Sequence, residues 1–474
     1  MTGCGFSLKN QGLCPSHLDE VNMKPKKCRF LLTGVVISIF LSLILLYFIP
    51  KQGSTKSDVN FILIVIDALR VDHLSCYGYQ RATSPRIDQL ADQGTMFTQA
   101  VTAGGWTGES VFSILTGTST FVHQNVEWNM QKKSFLKTLP QLLKQKEYKT
   151  ALFSNHEPIS TLDISEDFDK TYVISHEEID SHQLTLNTID WIKKNKNKSF
   201  FVYLHFLGGH APYISPEPYR SKYVSDGFRE RKEIPIDTRD TYNAEKGKMP
   251  KYLLESNIQD ISFYIAHYDG AILYTDALIG LLVDKMKDWD LLEDTVIMIT
   301  ADHGEEFGEH EIYFTHAGCY ENNIKVPLVV KFPEHFHPKK IISQQVSLMD
   351  IAPTILEIAG LEIPFYAQGK SLLPLFKKDK IMLHPYIVSS KFPQKSIRSE
   401  EWKLIYNGST YELYDLTKDP QEHMNVINEE KKIYEKMIAV LELFERESFS
   451  PGKTKKKPLT EKHKEILRSL GYLK

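Results

Sequence analysis

The chain has 474 residues, of which 42% are hydrophobic and 25% charged, and its formal net charge at pH 7 is −3. This composition is sufficient for a large core, in one big domain with a smaller one or in two modest domains. The balanced charge argues against a nucleic-acid binder, which needs a basic surface, so any charged partner must be met locally.

An uncharged apolar run at residues 30–49 comes first along the chain. At about 1.5 Å per residue, a helix of this length crosses the hydrocarbon core of a bilayer. Lysine and arginine side chains directly precede the run, so the positive-inside rule predicts a single-pass protein whose N-terminus is cytoplasmic. The rest of the chain is then periplasmic or extracellular. A cleaved signal peptide is the alternative, but the run is long and no Ala-x-Ala-like cleavage site follows it.

Four apolar runs of strand length follow, at residues 59–66, 200–207, 295–300 and 326–330. Such runs are typical of strands buried on both faces of a parallel sheet. Helix-like stretches such as residues 256–287 lie between them. This alternation predicts an α/β domain with helices on both faces of the sheet.

The pattern changes twice after the second strand. Residues 215–251 are rich in proline and charged residues without periodicity, which predicts a surface excursion. From about residue 363, short antiparallel strands, a helix at residues 429–446, a basic linker and a last short helix are expected. The predicted organisation is a cytoplasmic tail (1–29), a transmembrane helix (30–49), a main α/β domain (58–362) and a C-terminal α+β subdomain with its tail helix (363–474).

Polar clusters follow three of the predicted strands. Asp67 follows the first, GGHAPY with His210 follows the second, and ADHGEE with Asp302 and His303 follows the third. Because α/β sheets bind ligands beyond the carboxyl ends of their strands, these clusters are expected on one rim. Two buried carboxylates repel each other unless a metal ion or a proton lies between them. A lone aspartate at a strand end is usually a turn or cap residue, but Asp-His-Gly directly after a buried strand is more specific, because glycine lets the backbone turn while both side chains face the crevice.

The sequence GGWTGESVFSILTG, residues 104–117, reads as a loop that enters an amphipathic helix. Thr107 and Ser110 lie at the helix start, where capping is the ordinary role of hydroxyl side chains. The stretch is not a serine-hydrolase elbow, because Phe112 stands where G-x-S-x-G requires glycine. The local sequence therefore leaves capping and nucleophilic roles open.

Several motifs in order resemble the sulfatase branch of the alkaline phosphatase superfamily. They are NFILIVIDALRVDHLSCYGY, SILTG, HAPY, TADHGEEFGEH, YENNIKVPLVVKFP, SLMDIAPTILEIAGL and ELYDLTKDPQEHMNV. The resemblance runs from Val59 to about Val426 and implies an alkaline-phosphatase-like core sheet between helices. In that family the nucleophile lies on the loop before a helix reading S-L-L-T-G, which implies Thr107 as nucleophile and Ser110 as a helix-start residue.

The chain departs from the usual nucleophile motif of this family. Typical sulfatases carry C-x-P-S-R, whose Cys or Ser is oxidised to an aldehyde, whereas this chain has T-G-E-S-V. Threonine cannot give that aldehyde, because a secondary alcohol oxidises to a ketone, and Val111 replaces the arginine of the motif. Thr107 therefore resembles the unmodified threonine of phosphodiesterases, phosphonate hydrolases and phosphoethanolamine or glycerophosphate transferases in the same superfamily.

The implied metal site departs in the same direction. Usual sulfatases have paired aspartates after the first strand and Asp-Asn after the later one, an oxygen set that suits calcium. Here the pairs are Asp67-Ala68 and Asp302-His303. Such a mixed set favours Mn or Zn over Ca or Mg. The resemblance implies one divalent ion held by Asp67, Thr107, Asp302 and His303.

Histidines supply the other implied groups. His210 matches the histidine of the family's H-x-P motif, and His316 stands where sulfatases usually place a substrate-binding lysine. Both are implied to bind the substrate's nonbridging oxygens and to protonate the leaving group, although a solitary histidine can be structural. His310 is a further substrate-binding candidate. The imidazole nitrogens of His205, His210 or His316 could act as ligands of a second ion. No carboxylate partner stands in the expected D-x-x-x-H spacing, so one ion is favoured.

These features predict an anchored, extracytoplasmic, metal-dependent hydrolase that cleaves or transfers a phosphoester or phosphonate through phospho-Thr107. The alternatives are a sulfuric ester hydrolase, a phosphoethanolamine- or glycerophosphate-type transferase, and an inactive binding domain. The expected partners are the membrane and a phosphorylated or sulfated small molecule, glycan or surface substrate. Only Cys76 and Cys319 lie on the predicted outer side, which excludes a disulfide framework and leaves their pairing open.

Overall fold

The computed structural model describes residues 59–124, 132–174, 180–224, 260–316, 318–333, 340–377 and 381–447, together with residues 461 and 464. All of them belong to one compact unit, Asp58–Lys474. The predicted cytoplasmic tail and transmembrane helix lie outside the described residues, as do most of the predicted surface excursion and most of the last short helix. Within these ranges, no helix combines the length and apolar character that a membrane crossing requires.

The elements alternate along the chain as expected for an α/β protein. The strands are β1 (Asn60–Ile66), β2 (Thr95–Val101), β3 (Lys149–Ser154), β4 (Lys170–Val173), β5 (Phe200–Phe206), β6 (Thr295–Thr300), β7 (Glu306–Phe307), β8 (Tyr313–Thr315), β9 (Lys325–Lys331), β10 (Lys340–Ile342), β11 (Val346–Ser347), β12 (Ile387–Lys391), β13 (Gln394–Arg398), β14 (Trp402–Tyr406) and β15 (Tyr411–Asp415). The helices are α1 (Pro85–Gln93), α2 (Thr107–Thr116), α3 (Thr120–His123), α4 (Leu139–Lys144), α5 (Ser181–Asn195), α6 (Ile261–Asp288), α7 (Glu321–Ile324), α8 (Ile351–Ile358), α9 (Leu373–Lys377) and α10 (Lys431–Glu447).

A central sheet in the strand order β10-β2-β9-β6-β1-β5-β3-β4, with β11 also paired to β2, forms the core. The four strands predicted from apolar runs are confirmed, and all seven residues of β1 are buried. The sheet is mixed, because β9 runs antiparallel to both β6 and β2, whereas its apolar sequence is of the kind typical of parallel strands. A central strand is buried on both faces in either direction, so its apolar sequence does not reveal its orientation.

Two groups of helices pack with the sheet. The long helix α6 contacts α1 and α5, while α2, α4 and α8 contact one another. Both groups contribute buried apolar side chains to the same core as the strands, for example Leu184 from α5 and Phe112 from α2. The arrangement confirms an α/β fold with a mixed central sheet.

The C-terminal part forms a separate antiparallel sheet in the order β12-β13-β14-β15. Helix α10 packs on β13 and β14 over a small core of its own. This confirms the antiparallel strands and the helix expected there, while the boundary at residues 362 and 363 stays a prediction. The Ser390 N–H donates to the Ala103 carbonyl at 3.0 Å, and the Gly105 N–H donates to the Ser390 carbonyl at 2.8 Å. The edge of the small sheet is thereby bonded to the loop that precedes α2.

Candidate active site

Four strands of the central sheet bring polar side chains to one rim. Asp67 directly follows β1, and Asp302 and His303 follow β6. His205 lies near the end of β5, and His156 lies two residues after β3. Because β1 is parallel to β5 and β6, and β3 is parallel to β5, the carboxyl ends of all four strands lie on the same side. The carboxylates and imidazoles therefore lie together on one rim, as their positions at the ends of parallel strands predict. His156 lies on the same rim.

Thr107 is the buried first residue of α2. Trp106 occupies the N-cap position, with no capping bond from its side chain. Thr107 Oγ1 lies 3.2 Å from His303 Nε2, whereas Ser110 Oγ hydrogen-bonds the Thr102 hydroxyl at 2.9 Å. Of the two hydroxyls at the helix start, the structure thus places that of Thr107 in the polar cluster.

The donor atoms at this rim fit a divalent cation. Both carboxylate oxygens of Asp67, and Oδ2 of Asp302, are buried and accept no aligned hydrogen bond from the described residues, although His156 Nδ1 lies 2.7 Å from Asp67 Oδ2. His303 Nε2 lies 3.3 Å from Asp67 Oδ1 and 3.6 Å from Asp302 Oδ2. His303 Nδ1 lies 2.9 Å from the Gly304 carbonyl oxygen, and a proton donated there leaves the Nε2 lone pair facing the carboxylates. Buried carboxylates without donors are costly, and a cation among them relieves that cost.

The pKa values of the two carboxyl groups are shifted in opposite directions. Burial raises the pKa of Asp302 to about 7, and the negative charge of Asp67 contributes in the same direction. Burial also opposes ionisation of Asp67, but His156 and His210 hold its pKa well below the ordinary value. A cation at Asp67, Asp302 and His303, which can hold one together, favours the ionised form of both carboxyl groups.

His210 and His316 extend the cluster away from the carboxylates. The ring centroids of His316 and His303 are 4.3 Å apart, and those of His316 and His210 are 5.5 Å apart. Burial is the main cause that lowers the pKa of both His210 and His316. His210 Nδ1 lies 2.6 Å from the Ala211 carbonyl oxygen, so a proton there leaves Nε2 as an acceptor. Both predicted histidines are therefore close to the cluster that contains Thr107.

His310 occupies a different environment from the other histidines. Its ring stacks on Tyr320 with a centroid distance of 3.7 Å and an interplanar angle of 6°. Burial is also the main cause that lowers its pKa to about 4. A role of His310 in substrate binding stays a prediction.

The structure adds two residues that the sequence analysis missed. His156 Nδ1 lies 2.7 Å from Asp67 Oδ2. Its signal was available, because Asn155 and His156 directly follow the apolar run of β3, a strand that was not assigned. Lys391, at the end of β12, has its Nζ 5.2 Å from the Trp106 ring centroid. No local signal marks Lys391, because only the pairing of Ser390 with the loop before α2 brings it here.

Lys391 gives the site positive charge from the C-terminal sheet. Burial lowers the pKa of His303 and of His316, and the charge of Lys391 lowers both further. Burial also lowers the pKa of Lys391 itself, while the carboxyl of Glu109 opposes that effect. A cationic side chain beside the first turn of α2 suits an anionic substrate.

Comparison with known proteins decides the family. The family model described as Sulfatase matches residues 59–361, nearly two thirds of the chain. The chain belongs to the sulfatase family. A second model, described as N-sulphoglucosamine sulphohydrolase, C-terminal, matches residues 308–446 of this sulfatase-family protein.

Two curated relatives are similar to this chain over most of its length. An N-acetylglucosamine-6-O-sulfatase of Bacteroides thetaiotaomicron is 25% identical over 478 residues, covering 80% of this chain and 84% of that protein. Arylsulfatase K of Canis lupus familiaris is 26% identical over 435 residues, covering 79% of this chain and 80% of that protein. With this family membership, the protein is an ester hydrolase of the alkaline phosphatase superfamily.

Solved structures share the fold. One, of a protein in complex with its substrate D-glucosamine-2-N,6-O-disulfate, has a TM-score of 0.70 and 20% identity, covering 81% of this chain and 97% of that one. The phosphonate monoester hydrolase of Agrobacterium radiobacter has a TM-score of 0.68 and 20% identity, covering 85% of this chain and 99% of that one. The same architecture is thus shared with a protein whose substrate is a sulfated amino sugar and with a phosphonate monoester hydrolase.

Proposed function

We propose that this sulfatase-family protein hydrolyses a phosphate or phosphonate ester, with Thr107 as nucleophile. The observation that carries the proposal is the position of Thr107 Oγ1, 3.2 Å from His303 Nε2 at the start of α2. A threonine at this position cannot become the aldehyde that usual sulfatases employ. A phosphonate monoester hydrolase among the structural neighbours supports the same reading.

The first half of the reaction transfers the phosphoryl or phosphonyl group to Thr107. A divalent ion, Mn or Zn, held by Asp67, Asp302, His303 and Thr107 would supply Lewis-acid activation of a hydroxyl whose own pKa is too high for ionisation near neutrality. The backbone N–H groups of the first turn of α2 and the charge of Lys391 favour the anionic group beside Thr107. The bond between Oγ1 and phosphorus forms, the Thr107 hydroxyl proton passes to solvent, and the phosphorus bond to the ester oxygen breaks.

His210 and His316 are suited to handle the leaving group. Burial lowers the pKa of both in this structure, whereas the negative charge of a bound phosphoryl group raises it. The imidazolium formed in this way donates its proton to the departing ester oxygen. Water then attacks phosphorus, the bond to Thr107 Oγ1 breaks, and the hydroxyl is restored. An alcohol in place of water gives a transferase.

Hydrolysis of a sulfate ester is the second candidate, and the names of the curated relatives favour it. An N-acetylglucosamine-6-O-sulfatase and arylsulfatase K cover most of the chain. In that case the substrate is a sulfated amino sugar or related glycan, and Thr107 attacks sulfur directly. The same histidines and Lys391 then face a singly charged group, as they would in a phosphate diester or a phosphonate monoester, whereas a phosphate monoester carries a second negative charge.

Anchoring belongs to the proposal as well. The apolar run at residues 30–49 is proposed to hold the catalytic part at the outer face of a membrane through one helix. Membrane fractionation and protease accessibility of the full chain, compared with a chain that lacks residues 1–50, test this topology.

A matched substrate panel tests the proposed chemistry. One aryl leaving group is presented as phosphate monoester, phosphate diester, phosphonate and sulfate to residues 51–474, with Mn, Zn, Mg or Ca added. We expect phosphoester or phosphonate turnover that Thr107→Ala abolishes. Turnover of the sulfate alone would show that the second candidate is right. Activity that survives Thr107→Ala would identify a different nucleophile, and metal binding without any turnover would favour the inactive binding domain.

A further inference from the structure

Asp67 presents its two oxygens to two different groups of side chains. Oδ1 lies 3.3 Å from His303 Nε2, in the set that fits the first divalent cation. Oδ2 lies 2.7 Å from His156 Nδ1 and 3.7 Å from His205 Nε2. Asp67 forms one set of three donors with Asp302 and His303, and a second set with His156 and His205. Within each set, the donor atoms all lie within 4.8 Å of one another. We propose that Asp67, His156 and His205 hold a second divalent cation, with Asp67 shared between the two ions.

The orientation of His205 supports this assignment. Its Nδ1 lies 3.1 Å from the hydroxyl of buried Tyr203, and an Nδ1–H donated to that oxygen fixes the tautomer with a lone pair on Nε2. Nε2 is buried, makes no hydrogen bond to the described residues, and faces Oδ2 of Asp67 and Oδ2 of Asp302, the latter at 3.9 Å. A nitrogen held in this way, toward two carboxylates, is positioned as a metal ligand.

An ordinary ion pair between His156 and Asp67 explains less of the geometry. Such a pair accounts for the 2.7 Å separation of their atoms. It does not account for a second imidazole nitrogen turned toward the same oxygen, or for an Asp67 carboxylate that accepts no aligned hydrogen bond on either oxygen. A cation among the three donors satisfies all of them at once.

The donor types indicate which cation would bind. Two imidazole nitrogens and a carboxylate are ligands that suit Zn or Mn, whereas Ca and Mg prefer sets of oxygen ligands. The three donors lie at the ends of β1, β3 and β5, so their positions are set by the sheet rather than by a loop. The second site is independent of whether the ester carries phosphorus or sulfur.

Metal stoichiometry tests the second site directly. The full chain in detergent is stripped with a chelator, saturated with Zn or Mn, dialysed and analysed for metal and protein. We expect two ions per chain in the wild type and one in both His156→Ala and His205→Ala. His303→Ala should also retain one ion. His182→Ala, which changes an exposed histidine of α5, is the matched control and should retain two.

Electron paramagnetic resonance of the Mn-loaded protein gives a second measurement, and its result for the wild type does not depend on the folding of any variant. Two Mn ions that share Asp67 should give an exchange-coupled spectrum, and His205→Gln should convert it to that of an isolated ion. A wild type that saturates at one ion, or the isolated-ion spectrum at saturation, would overturn the proposal. Two ions retained in the His156 and His205 variants would overturn it as well. A one-ion enzyme can still cleave phosphoesters, so this failure is distinguishable from failure of the proposed function.

Discussion

Thr107 Oγ1 and His303 Nε2 lie 3.2 Å apart, although 196 positions separate the two residues in the chain. The contact joins the first residue of α2 to the end of β6, and it places a hydroxyl against an imidazole that also faces Asp67 and Asp302. A hydroxyl used only for capping has no need of these neighbours. The arrangement makes Thr107 the residue on which the proposed chemistry depends.

Two substitutions at Thr107 should distinguish the role of its hydroxyl group from that of its branched side-chain shape. Thr107→Val keeps the branched side chain without the oxygen, and we expect kcat for the best phosphoester to fall by about 10³ or more, as for loss of a covalent nucleophile. Thr107→Ser restores an oxygen and should keep most of the activity. Steady-state kinetics with equal metal occupancy measures both. A Val variant within a few-fold of wild type would rule out the threonine mechanism.

The leaving-group histidines should matter most for poor leaving groups. We expect His210→Asn and His316→Asn to lower kcat/KM for an alkyl ester by about 10²-fold or more, because its oxygen must be protonated as it departs. The loss for a nitrophenyl ester should be much smaller, because nitrophenolate leaves without a proton. Rates over a series of leaving groups should therefore show a steeper dependence on leaving-group pKa in the variants. An unchanged slope would assign both residues to binding or structure.

Lys391 should affect binding of the anionic group more than the chemical step. Lys391→Met removes the charge near Trp106, and we expect KM to rise about tenfold, which corresponds to about 1.4 kcal/mol. Lys391→Arg, which keeps the charge, should recover most of that loss. Lys418→Met is the matched control, since the Lys418 side chain is 78% exposed. An unchanged KM in Lys391→Met would place the substrate elsewhere.

The buried histidine His123 should make the protein less stable in acid. Its Nε2 lies 3.0 Å from Ser113 Oγ, and burial is the main cause that lowers its pKa to about 3, with the charge of Lys133 contributing. Between its pKa values in the folded and unfolded states, the unfolded chain binds the extra proton. The free energy of unfolding therefore decreases as the pH is lowered below about 6.5, the pKa of histidine in the unfolded chain. The decrease is up to about 1.4 kcal/mol per pH unit.

The pH dependence of His123 can be isolated by comparison with a variant. The free energy of unfolding of residues 51–474 is measured with urea at pH 7 and at pH 5. Between these pH values, the wild type should lose up to about 2 kcal/mol more of it than His123→Gln. His182→Gln, which changes an exposed residue, should behave as wild type. Equal losses in wild type and His123→Gln would contradict the neutral buried state.

Lys403 should be a large stability determinant of the C-terminal sheet. It is fully buried, with its Nζ 2.7 Å from Glu422 Oε1 and 3.2 Å from Glu321 Oε1. We expect Lys403→Met to cost about 3–5 kcal/mol, because two buried carboxylates lose a cationic partner. Adding Glu422→Gln should recover part of that cost. Arg398 also contacts Glu321, with its Nε 3.0 Å from Glu321 Oε1. Chemical unfolding measures both losses, and a loss under about 1 kcal/mol in Lys403→Met would show that Arg398 is a sufficient partner.

Cys76 and Cys319 are both free thiols, which resolves a point that the sequence left open. Their spacing along the chain says nothing about the distance between their sulfur atoms in the fold. The direction of β9 was equally hidden, because an apolar run has the same composition whichever way its neighbours run. These features depend on pairing between distant segments, which local composition does not encode.

The sequence by itself determined the α/β class, the positions of the main strands, the sulfatase resemblance, and the gathering of Asp67, Asp302 and His303 at one rim. Apolar runs mark strands locally, and the carboxyl ends of parallel strands share a side, so these conclusions need no coordinates. Only the tertiary structure decided that His156 joins Asp67 and that Lys391 reaches the loop before α2. Both depend on which strand lies beside which, and that order is fixed by hydrogen bonds and packing between residues far apart in the chain.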